Sequence, residues 1–190
     1  FFEDSKYYSL KKSTYINLRW IGIIGQLISV YLVHFYFGFK FDFFLTNLAI
    51  FFGVLSNLYL IFIYKKTQLS DRLALLFLLF DIIQLTVLIY LTGGAKNPFI
   101  IFIIIPSIFA STNLGLKTNL LIVLITCIMI IFLTFYASDL PYPLATHFHI
   151  SDYIYYSIPV SLIIALIFLN YFAIIFGRES RLRKEALNKM

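Results

Sequence analysis

Six apolar stretches, each near the length that crosses a lipid bilayer, constrain this 190-residue chain more than any other feature. A spanning helix needs roughly 20 residues to cross a hydrocarbon core about 30 Å thick. Windows of that kind fall at 18–37, 43–64, 72–91, 98–112, 118–137 and 154–177. Hydrophobic residues make up 61% of the chain and charged residues 13%, against roughly 45–50% and 25% in soluble domains. A water-soluble fold of this size leaves too much surface exposed to hide that apolar excess. Within lipid every backbone polar group must be satisfied inside its own segment, which makes the spans helices. The expected fold is therefore all-α, an integral membrane bundle of six transmembrane helices. Short loops and two tails are all that remains, leaving no room for a soluble catalytic domain.

The distribution of charge orients the bundle. Lys6, Lys11, Lys12 and Arg19 lie before or at the start of the first span. Lys65, Lys66 and Arg72 lie in the second loop and Lys117 in the fourth, and Arg178, Arg181, Arg183, Lys184 and Lys189 follow the last span. The intervening loops hold only Lys40 and Lys96. The excess of Lys and Arg on one side places both termini in the cytoplasm, which an even number of spans allows. Residues 1–17 then read as a cytoplasmic tail, 18–177 as the membrane domain and 178–190 as the start of a cytoplasmic linker helix. Because the basic residues flank apolar segments, no nucleic-acid partner is expected. The first seventeen residues lack the pattern of a cleavable signal peptide. The lone Cys127 makes neither an intrachain disulfide nor a cysteine-rich metal site.

Aromatic residues gather at span ends: Tyr15, Trp20, Tyr64, Tyr90, Tyr136, Tyr153, Tyr155 and Tyr156. Most of these suit an interfacial belt. The fourth span is short and contains Pro106, which cannot bond to the Phe102 carbonyl, so a kink is expected there. Two histidines in the last outer loop, His147 and His149, share a metal only if other ligands such as Asp139 or Asp152 join them. Solvated interfacial histidines are the simpler reading, and no metal site is assigned.

The most informative run is DIIQLTVLIYLTGGAKNPF, residues 81–99. Asp81 lies near the middle of the third span, where an ionisable side chain costs about 2.5–3.5 kcal/mol on insertion scales and must find a partner inside the bundle. Gln84, three residues on, shares its face. The pair serves either as glue between helices or in proton or signal coupling. Next, Gly93 and Gly94 suit positive φ and end the third helix. Asn97 suits the N-cap of the next helix, with Pro98 at its first position. The amides around Gly94, Ala95 and Lys96, the Asn97 side chain and the Lys96 ammonium offer donors, and Tyr90 and Phe99 offer ring faces. A planar dicarbonyl ligand with an apolar tail, such as a quinone, matches that set. Plain turn geometry fits the same string.

Leu18-Arg19-Trp20 with Gly25-Gln26-Leu27, Asp81 with Gln84 and Leu85, and Gly93-Gly94-Ala95-Lys96-Asn97-Pro98-Phe99 together resemble the membrane sensor domain of RegB/PrrB-type redox-sensing histidine kinases. The third string is similar to that family's G-G-x-x-N-P-F quinone loop. The resemblance implies a six-span domain that binds ubiquinone or a related quinone at Gly93, Gly94, Asn97, Pro98 and Phe99. It also implies Asp81 and Gln84 in the family's third-span pattern with a candidate coupling role, a homodimer, and a bacterial inner-membrane location with lipid all round. The quinone's redox state would pass through the last helix to a cytoplasmic kinase and then to a response regulator. The chain contains no phosphoacceptor box, ATP-lid glycines or redox-switch cysteine. Its charged tail at 181–187 reads as the first turns of a helix leading to a kinase portion outside these residues.

A different class remains open, the six-span substrate-binding subunit of an energy-coupling-factor type vitamin transporter. A membrane enzyme is disfavoured, because His34, His147 and His149 make no H-E-x-x-H spacing with a carboxylate.

Overall fold

A computed structural model describes residues 10–136 and 152–188, with side chains from 11 to 136 and 153 to 179. The helices are α1 (Lys12–Tyr31, continued by a wider π turn over Leu32–Tyr36), α2 (Phe43–Phe62), α3 (Asp71–Leu91), α4 (Ile105–Asn113), α5 (Leu116–Phe135) and α6 (Asp152–Asn188). Two 3-10 segments, Gly94–Lys96 and Pro98–Ile104, lie between α3 and α4. Among the described residues, five helices are long and apolar enough to cross a membrane, and the shorter apolar helix Pro98–Asn113 stands between the third and fourth of them. The fold is the expected helical membrane bundle.

Its surface is that of a protein in lipid. Ile21, Phe44 and Phe62 are 69%, 74% and 76% exposed, whereas Thr46, Asn57, Ser107 and Thr126 are fully buried. The buried threonines satisfy themselves: the hydroxyls of Thr86, Thr126 and Thr134 each donate to the carbonyl one turn back, at 2.7–2.8 Å. That choice keeps a polar group inside a helix without an orphan donor. One core cluster joins α3, α4, α5 and α6 around Leu78, Ile82, Ile103, Ile122, Ile130 and Leu166. A smaller one joins α1, α2 and α3 around Ile23, Ile50 and Leu88.

Helix α1 begins at Lys12, six residues before the apolar window that marks it in the sequence. Hydropathy reads Lys12 to Asn17 as a tail, but the bundle gives these residues partners. The Lys12 ammonium donates to the carbonyls of Tyr64 (2.5 Å) and Ile61 (3.4 Å), placing a cation on the carbonyl end of α2. Leu10 and Lys11 pair antiparallel with Leu69 and Gln68, tying the chain before α1 to the α2–α3 loop. Tyr15 is 2% exposed and does not belong to the interfacial belt.

The fourth span shows how its proline is accommodated. Pro98–Ile104 is wound as 3-10 helix, and the Ile105 amide takes the Phe102 carbonyl that Pro106 cannot serve. Pro106 then lies in the first turn of α4, where a missing N–H costs nothing. The winding also lengthens a short span. Seven residues at about 2.0 Å and nine at about 1.5 Å reach about 28 Å, against about 24 Å for an all-α segment. α4 packs most extensively on α6, with Asn170 of α6 donating to Ser107 Oγ at 3.3 Å.

Candidate functional site

Two of the third-span polar residues find partners on α1. Asp81 Oδ1 accepts from Arg19 Nε at 3.0 Å and lies 2.7 Å from Arg19 Nη2. Asp81 Oδ2 accepts from the Tyr15 hydroxyl at 2.6 Å. Arg19 Nη2 also donates to Ser56 Oγ of α2, and that hydroxyl donates to the Gly53 carbonyl at 3.1 Å. The guanidinium carbon lies 5.5 Å from the ring centres of Tyr15 and Phe77 and 6.0 Å from that of Phe80. Tyr15, Arg19 and Ile23 fall one turn apart on a buried stripe of α1. A buried ion pair therefore ties α1, α2 and α3 together, with aromatic faces shielding the cation.

Three turns of this stripe bring Gln26 to Gln84. Each amide donates to the other, at 2.8 and 3.4 Å. Gly53 of α2 leaves room beside the pair, since a Cβ there would lie 3.5 Å from Gln84 Nε2. Asp81 and Gln84 do not bond each other in this arrangement. Both reach across to α1, Asp81 to Tyr15 and Arg19 and Gln84 to Gln26. Arg19 is therefore a bundle residue and not a cytoplasmic flanking cation, which lowers the orienting excess by one without reversing it. The signal that points to it is the i, i+4 spacing of Tyr15 and Arg19 at the mouth of an apolar helix. Gln84→Leu, which strands the Gln26 amide, should cost about 1 kcal/mol of stability in detergent micelles. A Gln26→Leu/Gln84→Leu double variant should regain most of it, as read by the midpoint of denaturant unfolding.

The turn after α3 is built as the glycines predict. Gly93 has φ 114° and Gly94 φ 57°, conformations that other L-residues rarely adopt. The Lys96 and Asn97 amides return to the carbonyls of Gly93 and Gly94 at 3.2 and 3.0 Å. Asn97 is an N-cap, its Oδ1 accepting from the Phe99 amide at 2.9 Å. Its Nδ2 donates to Thr92 Oγ1 at 2.6 Å and to the Thr92 carbonyl at 3.3 Å. Thr92 Oγ1 in turn donates to the Leu88 carbonyl at 2.7 Å. The turn is braced from within, and two of the donors the sequence offers a ligand, the Asn97 side chain and the Lys96 backbone amide, are occupied.

Of the five residues assigned to the ligand, Gly93, Gly94 and Asn97 are buried, and Pro98 and Phe99 are exposed beside the exposed Lys96. Phe99 stacks on Phe102 with ring centres 5.9 Å apart. Tyr90 stacks on Phe132 at 6.1 Å, and Phe132 on Tyr136 at 5.7 Å. The Lys96 ammonium lies 5.4 Å from the centre of the Tyr155 ring. The turn packs against α5 and α6 and leaves Lys96, Pro98 and Phe99 exposed. A flat ligand with a carbonyl oxygen and an apolar tail fits that donor set, with the Lys96 ammonium as the exposed donor. His147 and His149 lie outside the described residues, and no cluster of metal-ligating side chains occurs among the described ones.

Comparison with known proteins agrees with this picture. The PilS-like transmembrane domain family matches residues 3–184 of the chain. Over 110 residues, 57% of its length, the chain is 33% identical to the sensor histidine kinase RegB of Cereibacter sphaeroides, and that match covers 24% of the relative. The chain thus spans about a quarter of the length of the curated relative it matches. No solved structure matches it. The family match covers nearly the whole chain, and neither it nor the RegB match is to a transporter subunit.

Proposed function

The chain belongs to the family of PilS-like transmembrane domains and is a multi-pass inner-membrane protein, and from that premise we propose that it is the membrane sensor region of a redox-responsive histidine kinase, binding a quinone at the α3–α4 turn. The observation that carries this reading is the division of labour in the turn. Gly93, Gly94, Thr92 and Asn97 spend their polar groups holding its shape. Lys96, Pro98 and Phe99 stand exposed, open to a lipid-borne ring with polar oxygens. When bound, the quinone supplies a redox state that differs in charge and hydrogen bonding. The chain's residues supply a ring face at Phe99, a donor at Lys96 and a rigid frame at Asn97.

Signalling in this proposal is a population shift. The two ligand states favour two packings of the bundle by unequal amounts, and α6 carries the difference to the far side. α6 suits that task because it runs unbroken from Asp152 to Asn188 and packs on α4, which the turn leads into. Both termini lie in the cytoplasm in this proposal. The protein acts as a homodimer, and a kinase portion beyond these residues passes a phosphoryl group to a response regulator.

The test is quinone binding by the chain in lipid nanodiscs. Phe99→Ala should weaken binding of a short-tail ubiquinone about tenfold, the worth of one aromatic face. Phe99→Tyr should retain it. Equal affinity for the parent and the alanine variant would remove the turn from the ligand site.

A further inference from the structure

In the α3–α4 turn the polar side chains of Thr92 and Asn97 brace the turn itself, and that of Lys96 does not. Lys96 is exposed, and among the described residues its ammonium makes no hydrogen bond and no ion pair. What it faces is the ring of Tyr155, at 5.4 Å. Tyr155 lies in the first turn of α6, half-buried, and its hydroxyl donates to the Thr134 carbonyl near the end of α5. Four residues on is Pro159, inside the helix. Proline has no N–H to return to the Tyr155 carbonyl, so the first turn of α6 lacks one of its usual ties. The start of the long helix therefore has one backbone tie fewer, and side-chain contacts to the turn and to α5 help to hold it.

We propose that Lys96 and Tyr155 are the contact through which α6 responds to occupancy of the turn. Lys96 Nζ is the donor offered to a ligand carbonyl oxygen, and it leaves the Tyr155 ring to make that bond. The inference rests on the quinone-site reading and adds which residues answer to the ligand. The exchange runs in the ligand's favour, because a charge-assisted hydrogen bond is stronger than an exposed cation–π contact. Tyr155 is a positioning residue here. It competes for the Lys96 ammonium, and losing that contact frees the first turn of α6.

The sign of one variant sets this apart from a merely structural role. In nanodiscs, with a short-tail ubiquinone as probe, Tyr155→Leu should bind about threefold tighter than the parent, because nothing then competes for Lys96. Tyr155→Phe keeps the ring and should bind like the parent. Lys96→Met should bind about tenfold weaker. Hydrogen exchange gives the second readout. Ligand should speed exchange of amides 153–158 in the parent and leave them unchanged in Lys96→Met at saturation. Tyr155→Leu binding no tighter than the parent would overturn the inference, as would a parent whose 153–158 amides ignore the ligand. A parent that binds no quinone would overturn the proposed function along with it, whereas a parent that binds normally while the variants fail to diverge would overturn this inference alone.

Discussion

Replacing Arg19 by Met should destabilise the bundle by about 3–5 kcal/mol, the usual cost of removing one partner from a buried ion pair. The side chains of Arg19 and Asp81 are 5% and 18% exposed, so the carboxylate left behind has little access to water. Within lipid its remaining described partner is the Tyr15 hydroxyl. The Arg19→Met/Asp81→Leu double variant should lie within about 1–2 kcal/mol of the parent, because an apolar pair of similar size removes the desolvation penalty with the attraction. Unfolding by dodecyl sulfate in mixed micelles measures both. A double variant as unstable as the two single costs added together would mean that Arg19 and Asp81 act independently, against the geometry that joins them. The pair also holds Ser56 of α2, so the loss should be felt across α1, α2 and α3 together.

The second large effect is expected at Asn97. Asn97→Ala removes the N-cap of the fourth span, worth about 1 kcal/mol, and strips the buried brace to Thr92, worth about 1–3 kcal/mol where a polar atom is stranded. The combined loss should be about 2–4 kcal/mol, and quinone binding should fall more than tenfold although Asn97 itself is buried in the turn. Thr92→Val should lose less, because the cap to the Phe99 amide survives. A double-mutant cycle between positions 92 and 97 should return a coupling of about 1–2 kcal/mol. Zero coupling would show that the 2.6 Å contact between Asn97 and Thr92 carries no energy.

The lipid-facing architecture was legible in the sequence because one constraint governs it: each span must satisfy its own backbone, and an apolar run of sufficient length can do so only as a helix. The turn was legible for a local reason. Gly93, Gly94, Asn97 and Pro98 each specify a backbone conformation, and all four adopt it. What the sequence could not give was the partnering of side chains between helices. Arg19 stands where flanking cations usually stand, and only the placement of α3 beside α1 turns it inward to Asp81. Tyr15 passed for a belt aromatic for the same reason. Asn97 looked like a donor for a ligand because its partner, Thr92, contributes a hydroxyl whose direction no pattern of residue types reveals. The 3-10 winding of Pro98–Ile104 was likewise hidden. A short apolar run with a proline announces a disturbance, and the need to span the bilayer decides what form it takes.

Redox sensing by this bundle requires unequal binding of the two redox states. Oxidised and reduced short-tail ubiquinone, titrated separately into the chain in nanodiscs under anaerobic conditions, should each bind saturably with dissociation constants differing at least severalfold, since a ligand shifts an equilibrium only by its differential affinity for the two states. Equal constants, or no saturable binding by either form, would contradict it.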